Sequence, residues 1–331
     1  MTDRVMQALR VEQLSPDLSG LSLLDLPMPV PGPDQALVQV RATSLNHPDL
    51  LMTRGAYQFK PKVPFTLGLE LAGEVVSAPE GSGLRAGDRV MGGSKTGGMA
   101  DYVALPVAAL RPIPAGLGFA AAAALGAAYN TAWTALVEIG RLQAGQWVLV
   151  HGASGGVGLA ACDLAKALGA RVIAATHRED KLAALKAAVP VEAAITNTGR
   201  FREAVGEITG GKLCQIVFDP VGGDVFDEST RCVAFGGQLQ VIGFVSGRIP
   251  EIAVNIPLIK GFSVVGVRAG EYARRFPDRG AAIAADVARF ASEGRLRPHI
   301  DRALPLTRWR EAFEAMAAGR IIGKIVLEPG T

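Results

Sequence analysis

The stretch His151-Gly152-Ala153-Ser154-Gly155-Gly156-Val157-Gly158 constrains the fold of this chain more than any other. It follows a short apolar run rich in β-branched residues, Trp147 to His151 (WVLVH), which reads as a buried strand. It opens a segment of helical character, Val157 to Leu168, bounded by Gly169. A helix start carries backbone N–H groups with no partner in the helix and a partial positive charge. A diphosphate is stabilised there without any cationic side chain. Gly155 and Gly156 have no Cβ, so backbone can approach a phosphate closely and adopt positive φ. Gly158 is expected to bring the helix tightly against the sheet. A glycine cluster in any other context would mean no more than a tight turn. Here the strand–turn–helix setting points to a dinucleotide site.

The elements around this turn alternate. After Trp147 to His151 come strands at Arg171 to Thr176, Ala193 to Thr196, Cys214 to Asp219, Gln238 to Gly243 and Phe262 to Val267. Helices are expected at Asp180 to Ala188, Phe201 to Ile208 and Val225 to Ala234, and an Ala-rich helical stretch precedes the series from Phe119 to Ile139. Alternation requires parallel pairing, because parallel neighbours need crossovers. The prediction is an α/β doubly wound parallel (Rossmann) sheet of about six strands. The first third is different. Gln35 to Ala42 alternates as a half-buried strand, Leu67 to Val76 and Arg89 to Met91 read as strands, and proline and glycine punctuate them. Two late helices, Gly280 to Glu293 and Leu306 to Ala318, lead to a closing strand, Lys324 to Glu328, which has no evident βαβ partner. The expected domains are 1–123, β-rich; 124–261, dinucleotide-binding; and 262–331, the last sheet strand followed by a return to the first domain.

Bulk properties narrow the function classes. The 331 residues suit two domains. No run reaches the roughly 18 uncharged apolar residues of a membrane span, and Met1 to Leu14 lacks a secretory apolar core, so a cytoplasmic protein is expected. Cys162, Cys214 and Cys232 are dispersed and form no disulfide framework or CxxC pair. The net charge of +3 implies no polyanionic partner. One local exception, Arg268 to Arg310, holds ten arginines against five acids; solvated helix faces are the favoured reading over a nucleic-acid patch.

At the second strand's end, where an NAD site places a carboxylate for the ribose, stand Thr176 and His177. Arg178 and Lys181 supply positive charge for a 2′-phosphate, which favours NADPH, although Glu179 and Asp180 could pair with them.

HGASGGVGLAAC resembles the cofactor loop of the medium-chain dehydrogenase/reductase superfamily, in its zeta-crystallin-like quinone oxidoreductase branch. The resemblance spans the chain: RATSLNHPDL (Arg41 to Leu50), LGLELAGEV (Leu67 to Val75), AGDRV (Ala86 to Val90), FDPVGG (Phe218 to Gly223) and IGKIVL (Ile322 to Leu327). It implies a GroES-like first domain. At the catalytic zinc positions of zinc-dependent members this chain has Asn46, Leu69 and Ala127, and the structural four-cysteine loop is absent. The resemblance therefore implies catalysis without metal. His47, beside Pro48, reads as structural or near the nicotinamide.

The resemblance also carries roles. Asn46 matches an asparagine near the nicotinamide ribose and acceptor. Tyr57 matches a pocket tyrosine, either a hydrogen-bond donor to the acceptor oxygen or an aromatic wall. Thr131 lies near the cofactor, and Ser154, Gly155, Gly156 and Val157 belong to the diphosphate loop. Arg178 and Lys181 match the 2′-phosphate region, Gly243 and Phe244 the segment passing the nicotinamide. Arg320 and Lys324 match basic residues approaching the cofactor, with a solvated strand-start lysine as the alternative for Lys324. Leu51 replaces a second tyrosine, and a tyrosine beside the adenosine phosphate is replaced near Asn197. The implied activity is NADPH-dependent reduction of a small quinone. The alternatives are reduction of a carbon–carbon double bond beside a carbonyl (an enoyl or alkenal substrate) and a non-catalytic NADPH- or RNA-binding protein. A homodimer is implied through the last sheet strand, Phe262 to Val267.

Overall fold

The structure is a computed structural model that describes residues 5–330. Two compact units meet in the chain at Gly126/Ala127 and again at His299/Ile300.

The first unit is β-rich. Val5–Val11 pairs antiparallel with Leu21–Pro27 and with the short Phe65–Thr66. A seven-stranded sheet runs in the order Ile300–Pro305, Lys324–Glu328, Gln35–Ser44, Glu70–Ser77, Arg89–Gly93, Leu110–Pro112, with Tyr102–Pro106 also on Gln35–Ser44. Gln35–Ser44 runs two residues past the expected end at Ala42, and Ala42, Thr43 and Ser44 are all buried. Ala36, Val38 and Val40 enter one core cluster with Leu71, Val75 and Val90. Leu67 to Val76 is not one strand. Leu67 N–H donates to Leu9 O of the smaller sheet and Leu67 O accepts from Met99 N–H, and the larger sheet begins at Glu70. One apolar run shared by two sheets shows no break in composition.

The closing strand does have a βαβ partner, contrary to expectation. Ile300–Pro305 pairs with it in parallel, and the helix Trp309–Ala317 connects them. Asp301, Arg302 and Pro305 hide this edge strand from a reading based on apolar content.

The second unit carries six parallel strands: β1 Trp147–Val150, β2 Arg171–Thr176, β3 Ala193–Thr196, β4 Cys214–Asp219, β5 Val233–Val241 and β6 Ser263–Gly266. Their order is β3-β2-β1-β4-β5-β6, with all pairs parallel. The connection reverses direction between β1 and β4, the switch point at which ligands bind in such sheets. All four residues of β1 are buried, as covering both faces of a parallel sheet demands. The helix expected at Val225 to Ala234 spans Gly223–Ser229 instead, and β5 starts at Val233. Its pairing with β4 shifts register between Cys214 and Ile216, so the strand is irregular where the sequence reads as helix. The Ala-rich stretch is also broken, into Phe119–Ala123, Gly126–Trp133 and a π-helix at Thr134–Ile139.

A buried polar chain ties the sheet ends together. Ser229 Oγ donates to Val225 O at 2.6 Å, so its single hydrogen is committed. His151 Nε2, 2.8 Å away, is then the donor to that oxygen, and Nδ1 accepts from Asn197 Nδ2 at 3.1 Å. Burial pushes the His151 pKa down to about 3, so the ring is neutral in the fold. In the unfolded chain it takes a proton near the usual 6.5. His151 therefore contributes stability above pH 6.5 that is lost as pH falls toward 3, at up to about 1.4 kcal/mol per pH unit. Chemical denaturation of His151→Asn at a series of pH values is expected to show a shallower loss over that window than wild type; an unchanged slope would contradict the assignment.

Candidate functional site

In the second unit the glycine turn has the strand–turn–helix geometry. The helix α1, Gly156–Ala167, starts directly after β1, with Gly155 as N-cap. One detail differs from expectation. Positive φ falls on Gly152 (+56°), while Gly155 has an ordinary φ of −86° and Gly156 is already helical. The sharp bend lies where the chain leaves the strand, so the later glycines serve close approach alone. At Gly158 a Cβ would stand 2.3 Å from Gly152 O and 2.7 Å from Gly152 C. The helix start thus rests on the turn's own backbone rather than on the sheet.

Beside this turn Ser154 Oγ lies 3.4 Å from both Thr176 Oγ1 and Lys181 Nζ, and all three residues are buried. Arg178 is more exposed, and its Nε donates to Asp180 at 3.0 Å. Exposed pairs of this kind stabilise little, so the guanidinium can exchange the carboxylate for a phosphate. The residues present fit a dinucleotide: a helix start with free N–H groups, glycine where a side chain would collide, and two cations at the end of β2. Asp219 ends β4 and accepts from Val221 N (2.8 Å) and Gly222 N (3.0 Å). Burial raises its pKa to about 6. Val245 and Ser246 N–H groups bind Pro220 and Val221 carbonyls, which lays Gly243 and Phe244 along that turn. Thr131 Oγ1 is committed to Ala127 O of its own helix at 2.7 Å.

In the first unit three buried side chains meet at the ends of adjacent strands. Gln35–Ser44 pairs with both Lys324–Glu328 (Val326 opposite Ser44) and Glu70–Ser77 (Thr43 opposite Leu71). That register brings Asn46, Glu70 and Lys324 together. Lys324 Nζ donates to Asn46 Oδ1 at 2.6 Å and to Glu70 Oε1 at 3.0 Å. Asn46 Nδ2 donates to the same Glu70 oxygen at 3.0 Å, and Ser44 Oγ also donates to it. The lysine is 5% exposed, so the solvated alternative does not hold. Asp49 Oδ2 accepts the Asn46 N–H at 2.9 Å and caps the helix His47–Thr53. Burial raises the Asp49 pKa to about 7. His47 is held below its ordinary pKa by burial and by Arg54.

Tyr57 is half-buried and packs with Phe59 and Leu69 on the cluster containing Leu9, Met52 and Phe313. Lys95 Nζ lies 4.6 Å over the Phe59 ring. Arg320 is exposed and takes no part in the Asn46 cluster. Glu70 was missed in the sequence. Its signal was available in LGLELAG, where a carboxylate stands inside an otherwise apolar strand start.

Among the described residues, no group of three or more His, Cys, Asp or Glu side chains is arranged to hold a metal ion. None of their helices is long and apolar enough to cross a membrane. The arginines of the 268–310 stretch are largely ion-paired: Arg274 and Arg275 with Glu271, Arg279 with Glu138, Arg289 with Asp286 and Glu293, Arg308 with Glu311.

Two family models match the chain: an alcohol dehydrogenase GroES-like domain over residues 32–115 and a zinc-binding dehydrogenase over residues 156–285. A quinone oxidoreductase-like protein 2 homolog of Nematostella vectensis is 37% identical, covering 89% of this chain and 82% of its own length. Human quinone oxidoreductase is 31% identical, with 98% of both chains covered. Among solved structures, a probable oxidoreductase from Mycobacterium abscessus is 37% identical with a TM-score of 0.90, covering 99% of this chain and 100% of that one. A mycobacterial protein solved as a complex with NADPH is 26% identical with a TM-score of 0.88, covering 98% and 100%. The chain is therefore a member of the quinone oxidoreductase-like family of the medium-chain dehydrogenase/reductase superfamily.

Proposed function

We propose that this protein is an NADPH-dependent reductase that transfers hydride to a small quinone without a metal. The observation that carries this reading is the glycine turn at the head of α1, with Lys181 and Arg178 at the end of β2. The relative solved with NADPH supports the cofactor, and the quinone oxidoreductases among its relatives support the acceptor.

Bound NADPH supplies hydride from its nicotinamide ring. The residues of this chain bind and orient. Backbone N–H groups at Gly156 and Val157 hold the diphosphate. Lys181 and Arg178 hold the 2′-phosphate, with Ser154 fixed beside Lys181. A quinone is already electron-poor, and conjugation spreads the incoming charge, so the reaction needs positioning more than a Lewis acid. Tyr57 lines the acceptor side, and protons come from solvent. Positions Asn46, Leu69 and Ala127 lack the ligand chemistry that a catalytic zinc takes.

A specific observation favours one second reading. Leu51 stands where a second tyrosine is common, and an apolar wall there suits an alkenal or enoyl acceptor. The basic stretch gives little support to nucleic-acid binding, because Arg274, Arg275, Arg279, Arg289 and Arg308 are already paired with carboxylates inside and outside it.

The protein acts as a homodimer in this reading. β6 is a sheet edge, and Phe235 (88% exposed), Val254, Leu258 (81%) and Ile259 are apolar and exposed. An uncovered edge of this kind is a pairing surface.

Four measurements follow from this reading. NADPH oxidation is expected with quinones or with alkenals and enoyl thioesters, and to survive EDTA; loss on chelation would overturn the metal-free mechanism. Arg178→Ala should raise KM for NADPH roughly tenfold or more while changing KM for NADH little; equal changes would remove the basis for the cofactor assignment. Tyr57→Phe should lower turnover if the hydroxyl donates to the acceptor, and unchanged turnover would reduce Tyr57 to a pocket wall. Light scattering should report a dimer, and Leu258→Lys with Val264→Lys should give a monomer; a monomeric wild type would end the dimer proposal.

A further inference from the structure

We propose that Lys324 and Glu70 are a positioning pair that locks the Asn46 amide in one orientation, so that Asn46 can only accept a hydrogen bond from a bound ligand. The inference rests on the NADPH-dependent reading above, with the nicotinamide half at Asn46 as the family resemblance implies.

An amide's oxygen and nitrogen are nearly interchangeable in shape, and their assignment follows from their neighbours. Here the neighbours are charged. Lys324 Nζ is donor-only, and it lies 2.6 Å from one end of the Asn46 amide, so that end is the oxygen. The other end faces Glu70 Oε1 at 3.0 Å, which can only accept. Flipping the amide would set NH2 against an ammonium and oxygen against a carboxylate. All three residues are buried, which strengthens both the attraction in one orientation and the repulsion in the other.

Counting hydrogen-bonding capacity then fixes what remains for a ligand. Asn46 Nδ2 has two hydrogens. Its acceptors inside the pocket are Glu70 Oε1, Ser44 O at 3.2 Å and Ser44 Oγ at 3.3 Å. Oδ1 accepts from Lys324 Nζ, and the Asp49 N–H closes on the Asn46 side chain in the capping box at the start of the helix His47–Thr53. Both amide hydrogens are committed, so the group Asn46 can still offer a ligand is its oxygen. A ligand group meeting it must carry an O–H or N–H, as a ribose hydroxyl or the nicotinamide carboxamide does. The carbonyl oxygen of an acceptor is not such a group. The donor to that oxygen must come from elsewhere, and Tyr57 is the candidate in this unit.

The pair also reassigns Lys324. A lysine that is 5% exposed and bonded to two side chains acts on the cofactor through Asn46 rather than by direct contact with it. Buried ion pairs are poor stabilisers compared with apolar residues of the same volume, so holding Asn46 is a better reason for this one than stability.

The test compares wild type with Lys324→Met. Removing one partner leaves Glu70 buried and uncompensated, so the double variant Lys324→Met/Glu70→Gln, which removes both charges, is measured alongside. In ligand-free protein, the Asn46 side-chain amide hydrogens should exchange slowly in wild type and roughly tenfold faster or more in the variants. Affinity for NADPH should fall roughly three- to tenfold in both variants. Affinity for 2′,5′-ADP, which lacks the nicotinamide half, should stay at the wild-type value. Unchanged Asn46 exchange would overturn the proposal, as would parallel losses for NADPH and 2′,5′-ADP, the signature of a phosphate ligand. If wild type turned over no acceptor while the exchange difference held, the reductase reading would fall and the lock would stand.

Discussion

The contact between Gly158 and the carbonyl of Gly152 sets the geometry from which the rest follows. No side chain fits there, so the first turn of α1 lies directly on the backbone of the preceding bend. That contact aims the free N–H groups of the helix start at the region outside the strand ends. It also sets Ser154 beside Thr176 and Lys181, because the bend leaves the sheet next to β2. Ala153 N donates to Ala175 O at 3.0 Å and pins the bend to that strand. The polar chain from Asn197 through His151 to Ser229 supports the bend from beneath. In the proposed reading, a phosphate here would be held by backbone placement first and by two cations second.

The first unit solves a different problem with the same economy of parts. Here an asparagine is held between an ammonium and a carboxylate. The strand register that joins Lys324–Glu328 and Glu70–Ser77 to Gln35–Ser44 makes this possible. Residues 278 and 254 positions apart in sequence converge because the tail returns to the sheet of the first unit.

Much of the second unit was legible in the sequence. Buried parallel strands are short and rich in apolar, β-branched residues, and β2 and β4 lie where those signals placed them, as does the weaker, half-buried β3. The turn motif was legible because its chemistry is local. Three kinds of feature were not. Val233 and Ala234 belong to a strand whose irregular register is decided by its neighbour, so a local reading took them for helix. Ile300–Pro305 is an edge strand with charged residues, and its pairing with Lys324–Glu328 is a tertiary fact. Glu70 stands out as a carboxylate in an apolar strand start, but its partner Lys324 lies at the far end of the chain, so the role of the pair is a tertiary fact. The resemblance implies a basic residue at Lys324, but its burial between Asn46 and Glu70 is a tertiary fact.

The most direct test of the account is a crystal of this protein soaked with NADPH. The diphosphate should lie on the backbone amides of Gly156 and Val157 at the head of α1, with the 2′-phosphate against Lys181 and Arg178. Cofactor bound elsewhere, with this glycine turn empty, would contradict the account.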